Sequence, residues 1–178
     1  APHNMDFQIR FYDEKTNELF VTFYSYTISS LNYKLNITTG ANDIYFNAFI
    51  QPKPTLFSFN YFETKTITYK SRDNKDIPIV IIHKKGIELN GNNPTLLRAY
   101  GGFGSVSSPN YDTGLLHFLE KGGVYAFAKV RGGGEKGKNW HKEGKGLKKI
   151  NSINDFVDAA EFLIREKYTN PNKLAING

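Results

Sequence analysis

Cysteine is absent from all 178 residues, so disulfides and thiolate metal sites are excluded. No apolar run is long enough to span a bilayer, and no basic-then-apolar leader opens the chain, which starts at Ala1 in what reads as mid-domain sequence. No internal repeat is evident. The five-residue pattern G-x-S-x-G, which would place a serine nucleophile on a strand-to-helix turn, occurs nowhere. Acidic residues are in deficit: 17 Asp and Glu against 23 Lys and Arg give a net charge of +6. That excess would suit a phosphate backbone. The lysines are spread thinly, however, except in Lys136–Lys149, and that run reads as a solvated loop face. Nucleic acid is not an expected partner.

Aromatic residues, by contrast, are plentiful, with 11 Tyr and 14 Phe, as suits a globule containing β-structure. The stretch that organises the chain is Pro94–Gly104. Thr95–Ala99 is a short apolar strand that runs directly into Tyr100-Gly101-Gly102-Phe103-Gly104. A strand that stops at paired glycines and leads to an amphipathic helix marks an α/β crossover, whose carboxyl end faces a ligand crevice. Glycine lets backbone N–H groups approach a ligand closely, so Gly101-Gly102 could serve a developing anion. A tight turn explains the same pair without any chemistry.

Before Gln51-Pro52-Lys53-Pro54, a proline-rich linker signal, lie short β-type stretches at Ile9–Tyr12, Glu18–Thr22 and Leu31–Asn36. Their spacing suggests antiparallel hairpins, as in a sandwich or a propeller blade. After the linker comes a hairpin, Thr64–Lys70 and Ile77–His83, whose second arm is apolar enough to be buried on both faces. The strand Thr95–Ala99, a helix Thr113–Lys121 ending at Gly122-Gly123, a strand Val124–Val130, a loop Arg131–Ile150, a helix Ser152–Glu166 and a strand Lys173–Ile176 follow. Ser152 stands where an N-cap belongs, and Ile153, Phe156, Val157, Ala160, Leu163 and Ile164 form the helix's expected apolar face. The strands that alternate with helices are expected to run parallel.

Gly132–Gly137 satisfies G-x-G-x-x-G after a strand, with Asp155 further on, which is the wording of a dinucleotide fingerprint. The lysine-rich stretch that follows lacks helical apolar periodicity, so a glycine loop beside a site is the better reading. His83 and His117 fall on apolar elements and read as core residues. His141 has no partner at ligand spacing, so no metal and no cofactor are expected.

Tyr100-Gly101-Gly102-Phe103, Arg131-Gly132-Gly133-Gly134-Glu135, Trp140-His141-Lys142, His83-Lys84-Lys85-Gly86 and Tyr168-Thr169…Ile176-Asn177-Gly178 together resemble the prolyl oligopeptidase family of serine peptidases, in order and in spacing. The resemblance is dense from about Tyr61 onward and thin before Pro52. It implies an α/β fold: residues 1–54 as the last antiparallel strands of a β-propeller, and residues 55–178 as the N-terminal half of an α/β-hydrolase domain with a mostly parallel sheet. It also implies that the chain stops just before the nucleophile elbow, leaving the Ser, Asp and His of the triad outside it and the chain alone inactive. Tyr100 matches the tyrosine whose hydroxyl helps form the oxyanion hole, and Phe103 an aromatic that receives the substrate's proline ring. The implied parent is a monomeric endopeptidase cleaving short peptides after proline, with neither nucleic acid nor membrane as partner. Two other readings stand beside it: a nucleotide-binding module using Gly132–Gly137, and a non-catalytic interaction domain of the same fold.

Overall fold

A computed structural model describes residues 5–44 and 61–178. The chain divides into two compact units, Ala1–Tyr61 with Ser108–Thr113, and Phe62–Ser107 with Gly114–Gly178. The linker signal Gln51–Pro54 lies outside the described residues.

The first unit is an antiparallel sheet in chain order, β1 (Asp6–Asp13), β2 (Glu18–Tyr24), β3 (Leu31–Asn36) and β4 (Asn42–Ile44). Aromatic side chains meet across the strands, with Phe23 edge-on to Tyr33 at 5.4 Å and Phe11 beside Phe20 at 5.8 Å. Such pairs add to what area burial alone contributes. Between β2 and β3 the Ser25 Oγ accepts the N–H groups of Thr27 and Ile28, turning the chain at Thr27-Ile28-Ser29-Ser30.

The second unit is an α/β fold. Its five-stranded sheet runs β5 (Phe62–Lys70), β6 (Asp76–Lys84), β8 (Val124–Ala128), β7 (Thr95–Ala99), β9 (Leu174–Asn177). As expected of strands linked through helices, β7 pairs in parallel with both β8 and β9. The sheet as a whole is mixed rather than mostly parallel, because the β5–β6 hairpin joins β8 antiparallel. Ile77, Ile79 and Ile81 of β6, Leu97 and Ala99 of β7, and Val124, Ala126 and Ala128 of β8 form one core with Ala159, Phe162 and Leu163. Val80, Ile82, Tyr125 and Phe127, of the opposite parity, are buried too, so β6 and β8 are covered on both faces.

The helices are α1 (Thr113–Glu120), α2 (Lys138–Lys142) and α3 (Lys149–Arg165). After α1, Gly122 has φ +87°, and the N–H groups of Gly122 and Gly123 close onto the carbonyls of Leu119 and Phe118. The expected loop Arg131–Ile150 instead holds α2 and a 3-10 turn, Gly146–Lys148, that leads straight into α3. Ser152 is therefore not a cap but lies inside the helix. The buried face of α3 is rotated from the one its apolar residues suggested. Leu163 is buried and Phe156 and Ala160 pack against the core as expected, but Ser152, Asp155, Asp158, Ala159 and Phe162 are also buried, while Ile153 and Val157 are exposed. Polar residues occupy the inner face because each has an inner partner, described below. His117 is likewise exposed on α1, whereas His83 is buried as expected. No helix among the described residues is long and apolar enough to cross a membrane.

Candidate active site

The carboxyl end of β7 is a shelf of glycine-containing loops stacked backbone on backbone. Gly101, at φ +58°, lies so close to its neighbours that a Cβ there would stand 2.4 Å from Val130 Cγ2 and 3.0 Å from the Arg131 carbonyl oxygen. A Cβ on Gly132 would fall 2.3 Å from the Gly101 carbonyl oxygen, and one on Gly134 would fall 2.2 Å from that of Gly104. These gaps close because no side chain fills them. Hydrogen bonds lock the contact: Gly104 N–H donates to Gly132 O at 3.0 Å, and Gly134 N–H donates to Ser105 O at 2.9 Å. Lys149 Nζ reaches across to Gly101 O at 2.6 Å.

Two of the three glycines of the apparent dinucleotide pattern, Gly132 and Gly134, are thus used up in loop-to-loop packing, and the third, Gly137, precedes a short helix. The helix after them has five residues, and it follows Gly137 rather than opening at the pattern. The nucleotide reading loses its physical basis.

Beneath the shelf lies an ion-pair network that sequence alone left open. Arg131 is 2% exposed, and its Nε and Nη2 both donate to the fully buried Asp155 carboxylate, as does its backbone N–H. Its Nη1 donates to Asp73 Oδ2 at 2.5 Å, across the turn between β5 and β6. Glu135, only four residues from Arg131 in sequence, instead accepts the Ser107 N–H. The Arg131 guanidinium holds the Asp73 carboxyl down at about 2, against an ordinary 3.8, so the pair persists well into acid. Two carboxylates in turn raise the pKa of Arg131, Asp155 first. Tyr69 donates its hydroxyl to the Asp155 carbonyl at 2.6 Å, which ties β5 to α3, and burial pushes that phenol's pKa well up. Ser152 Oγ bonds the carbonyls of Arg131 and Gly144, and the Trp140 indole N–H those of Lys129 and Val130. The backbone of Arg131–Gly134, and through it that of Gly101–Gly104, is fixed from below.

On top of this rigid base stand two exposed aromatic side chains. Tyr100 is 55% exposed and Phe103 89%, the latter held at φ +54°. A left-handed conformation is costly for a bulky residue and persists only where its surroundings impose it. β9 ends beside them: Asn177 is in register with Arg98, and a Cβ on Gly178 would be 3.6 Å from the Ala99 carbonyl oxygen. Each described histidine already has a neighbour of its own. His83 Nδ1 bonds the Lys84 carbonyl, His141 Nδ1 bonds that of Gly132, and His117 lies near Glu120. No group of residues able to hold a metal ion occurs among the described residues.

The pattern of the prolyl oligopeptidase family matches residues 109–178. The chain is 36% identical over 166 residues to a prolyl endopeptidase of Elizabethkingia meningoseptica, covering 93% of this chain and 23% of that protein. It is 43% identical over 131 residues to a Rickettsia prowazekii protein described as an uncharacterised peptidase, covering 71% and 18%. Among solved structures it is similar to a post-proline cleaving enzyme from Rickettsia typhi (TM-score 0.82, 32% identity, 100% of this chain, 25% of that one). It is similar also to prolyl oligopeptidase B of Galerina marginata bound to a 35mer hydrolysis and macrocyclisation substrate (TM-score 0.86, 31% identity, 100% and 25%). The chain thus spans about a quarter of the length of the relatives it matches. With these similarities reaching from the four-stranded sheet to β9, the chain belongs to the prolyl oligopeptidase family.

Proposed function

We propose that this chain is part of a serine endopeptidase that hydrolyses short peptides on the carboxyl side of proline. The exposed Tyr100–Phe103 pair on its locked glycine shelf carries the reading. In it, residues 1–54 are the end of a β-propeller's last blade, consistent with the four-stranded antiparallel meander, and residues 55–178 are the first half of an α/β-hydrolase domain. The triad Ser, Asp and His lie outside these residues. A serine on the turn after β9 would stand beside Tyr100, because β9 and β7 are parallel neighbours ending together. The 178 residues alone would then hydrolyse nothing.

The chemistry follows from the two side chains. A phenol, neutral at physiological pH, donates a hydrogen bond to the oxyanion of the tetrahedral intermediate. Phe103 offers a flat apolar face to the proline ring before the scissile bond. The rigidity beneath matters because a donor already in place spends nothing on reorganisation when charge develops. Tyr100→Phe in the full-length enzyme, assayed on a post-proline peptide, is expected to lower kcat with KM little changed, since the bond strengthens only in the transition state. The loss should approach, and not exceed, the roughly 3–4 kcal/mol that one oxyanion donor contributes elsewhere. An unaltered kcat in a folded variant would remove Tyr100 from the mechanism.

A further inference from the structure

The residue after Phe103 is one wall of a pocket that the catalytic reading does not use. This cavity of about 410 Å³ is lined by Gly104, Gly134, His141, Lys138, Lys142 and Lys145 among others. Lys138 and Lys142 are one helical turn apart on α2 and so share a face. Among the described residues no carboxylate is paired with Lys138, Lys142 or Lys145. Other lysines of the same run are committed: Lys136 donates to the Asp76 carbonyl and Lys149 to that of Gly101. Glu143, the acid in the stretch, faces Lys75 instead, 3.9 Å away. His141 packs on the shelf itself, since a Cβ on Gly104 would come within 3.3 Å of its ring. Its Nδ1 lies 2.8 Å from the Gly132 carbonyl oxygen, which can only accept, so Nδ1 carries the hydrogen.

We propose that this pocket is a subsite for a carboxylate borne by the peptide substrate, within one or two residues of its proline. The proposal rests on the reading of Tyr100–Gly104 as the substrate-binding end of the unit. Three lysines without a carboxylate partner line one cavity, and positive charges gathered at one place attract an anion more strongly than the same charges dispersed over a surface. Phe103 and Gly104 are adjacent, and consecutive Cα atoms are about 3.8 Å apart, so a residue neighbouring a proline seated on Phe103 can reach the pocket. The carboxylate is a glutamate or aspartate side chain or the peptide's own terminus.

Matched fluorogenic peptides separate these sources in the full-length enzyme. Glutamate or glutamine is placed in turn at two positions on each side of proline, and a last pair ends in a free or an amidated carboxyl group. One pair is expected to favour its carboxylate member by about five-fold in kcat/KM, the effect of a partly exposed charge contact. Lys138→Gln with Lys142→Gln should bring that ratio near one, while Lys121→Gln with Lys173→Gln, which removes as much charge elsewhere, leaves it. Overturning results would be the absence of any carboxylate preference, or an equal drop in both double variants. A labelled glutamate-rich peptide without proline, followed by fluorescence anisotropy, reads the pocket without turnover. Lysine-dependent binding by an enzyme that cleaves no proline peptide would uphold the pocket and overturn the peptidase reading. Cleavage after proline with no carboxylate preference would do the reverse.

Discussion

Gly101 and Gly102 are indistinguishable as letters and opposite as sites. Gly101 sits in the left-handed region, and any Cβ there strikes a Val130 methyl group that is itself buried. Gly102 lies outside that region, and a Cβ on it would meet only the Tyr100 ring, at an ordinary contact distance of 3.6 Å. Gly101→Ala should therefore cost about 2–3 kcal/mol, from strain and from displaced packing together. Gly102→Ala should leave stability within about 0.5 kcal/mol. Denaturant midpoints of the two variants in the intact protein decide it, and equal losses would mean that the shelf is less tightly closed than its geometry requires.

At the scale of one element, α3 acts as a spine for the site more than as a cover for the core. Its inner face carries Asp155 under Arg131 and, almost one turn on, Asp158 beside Arg72. The two pairs differ in burial: the Arg131 side chain is 2% exposed and that of Arg72 is 49%. Breaking a buried pair strands a desolvated charge, whereas water screens an open one. Asp155→Asn is expected to destabilise the protein by about 3 kcal/mol, near the low end for buried pairs because the amide oxygen still accepts a bond. Asp158→Asn should cost only about 1 kcal/mol. Comparable losses would show that burial of the guanidinium is not what sets the cost.

At the scale of the whole molecule, both sheets present open edges among the described residues. β9 closes one side of the five-stranded sheet with Ile176 exposed, and β1 closes one side of the other with Phe7, Ile9 and Phe11 exposed. An edge strand with unpaired N–H and C=O groups and apolar side chains templates pairing with another chain. Residues 1–178 expressed by themselves are expected to self-associate. Sedimentation velocity over a concentration series reads this directly. A stable monomer that unfolds in one cooperative transition would mean that these edges are adequately protected.

Local pattern was enough to reveal the strands other than the three-residue β4. Thr95–Ala99 and Ile77–His83 read correctly because an apolar run bounded by turn residues has few other solutions, and the parallel pairing of β7, β8 and β9 followed from the helices between them. The Tyr100–Phe103 segment stood out for the same reason, as aromatics and glycines directly after a strand. The inner face of α3 was not legible, because periodicity counts apolar residues and cannot see that Asp155, Asp158 and Ser152 have partners 21 to 86 residues away in sequence. The same holds for the lysines of Lys136–Lys149, whose spacing looks like a solvated face until the fold gathers three of them around one cavity. Sequence alone determined most of the segments that extend, coil and turn, though not β4 or the short α2, because those choices depend largely on neighbours along the chain. Which polar groups are buried, and which charges converge, was decided by tertiary structure alone, since both depend on residues that only folding brings within bonding distance.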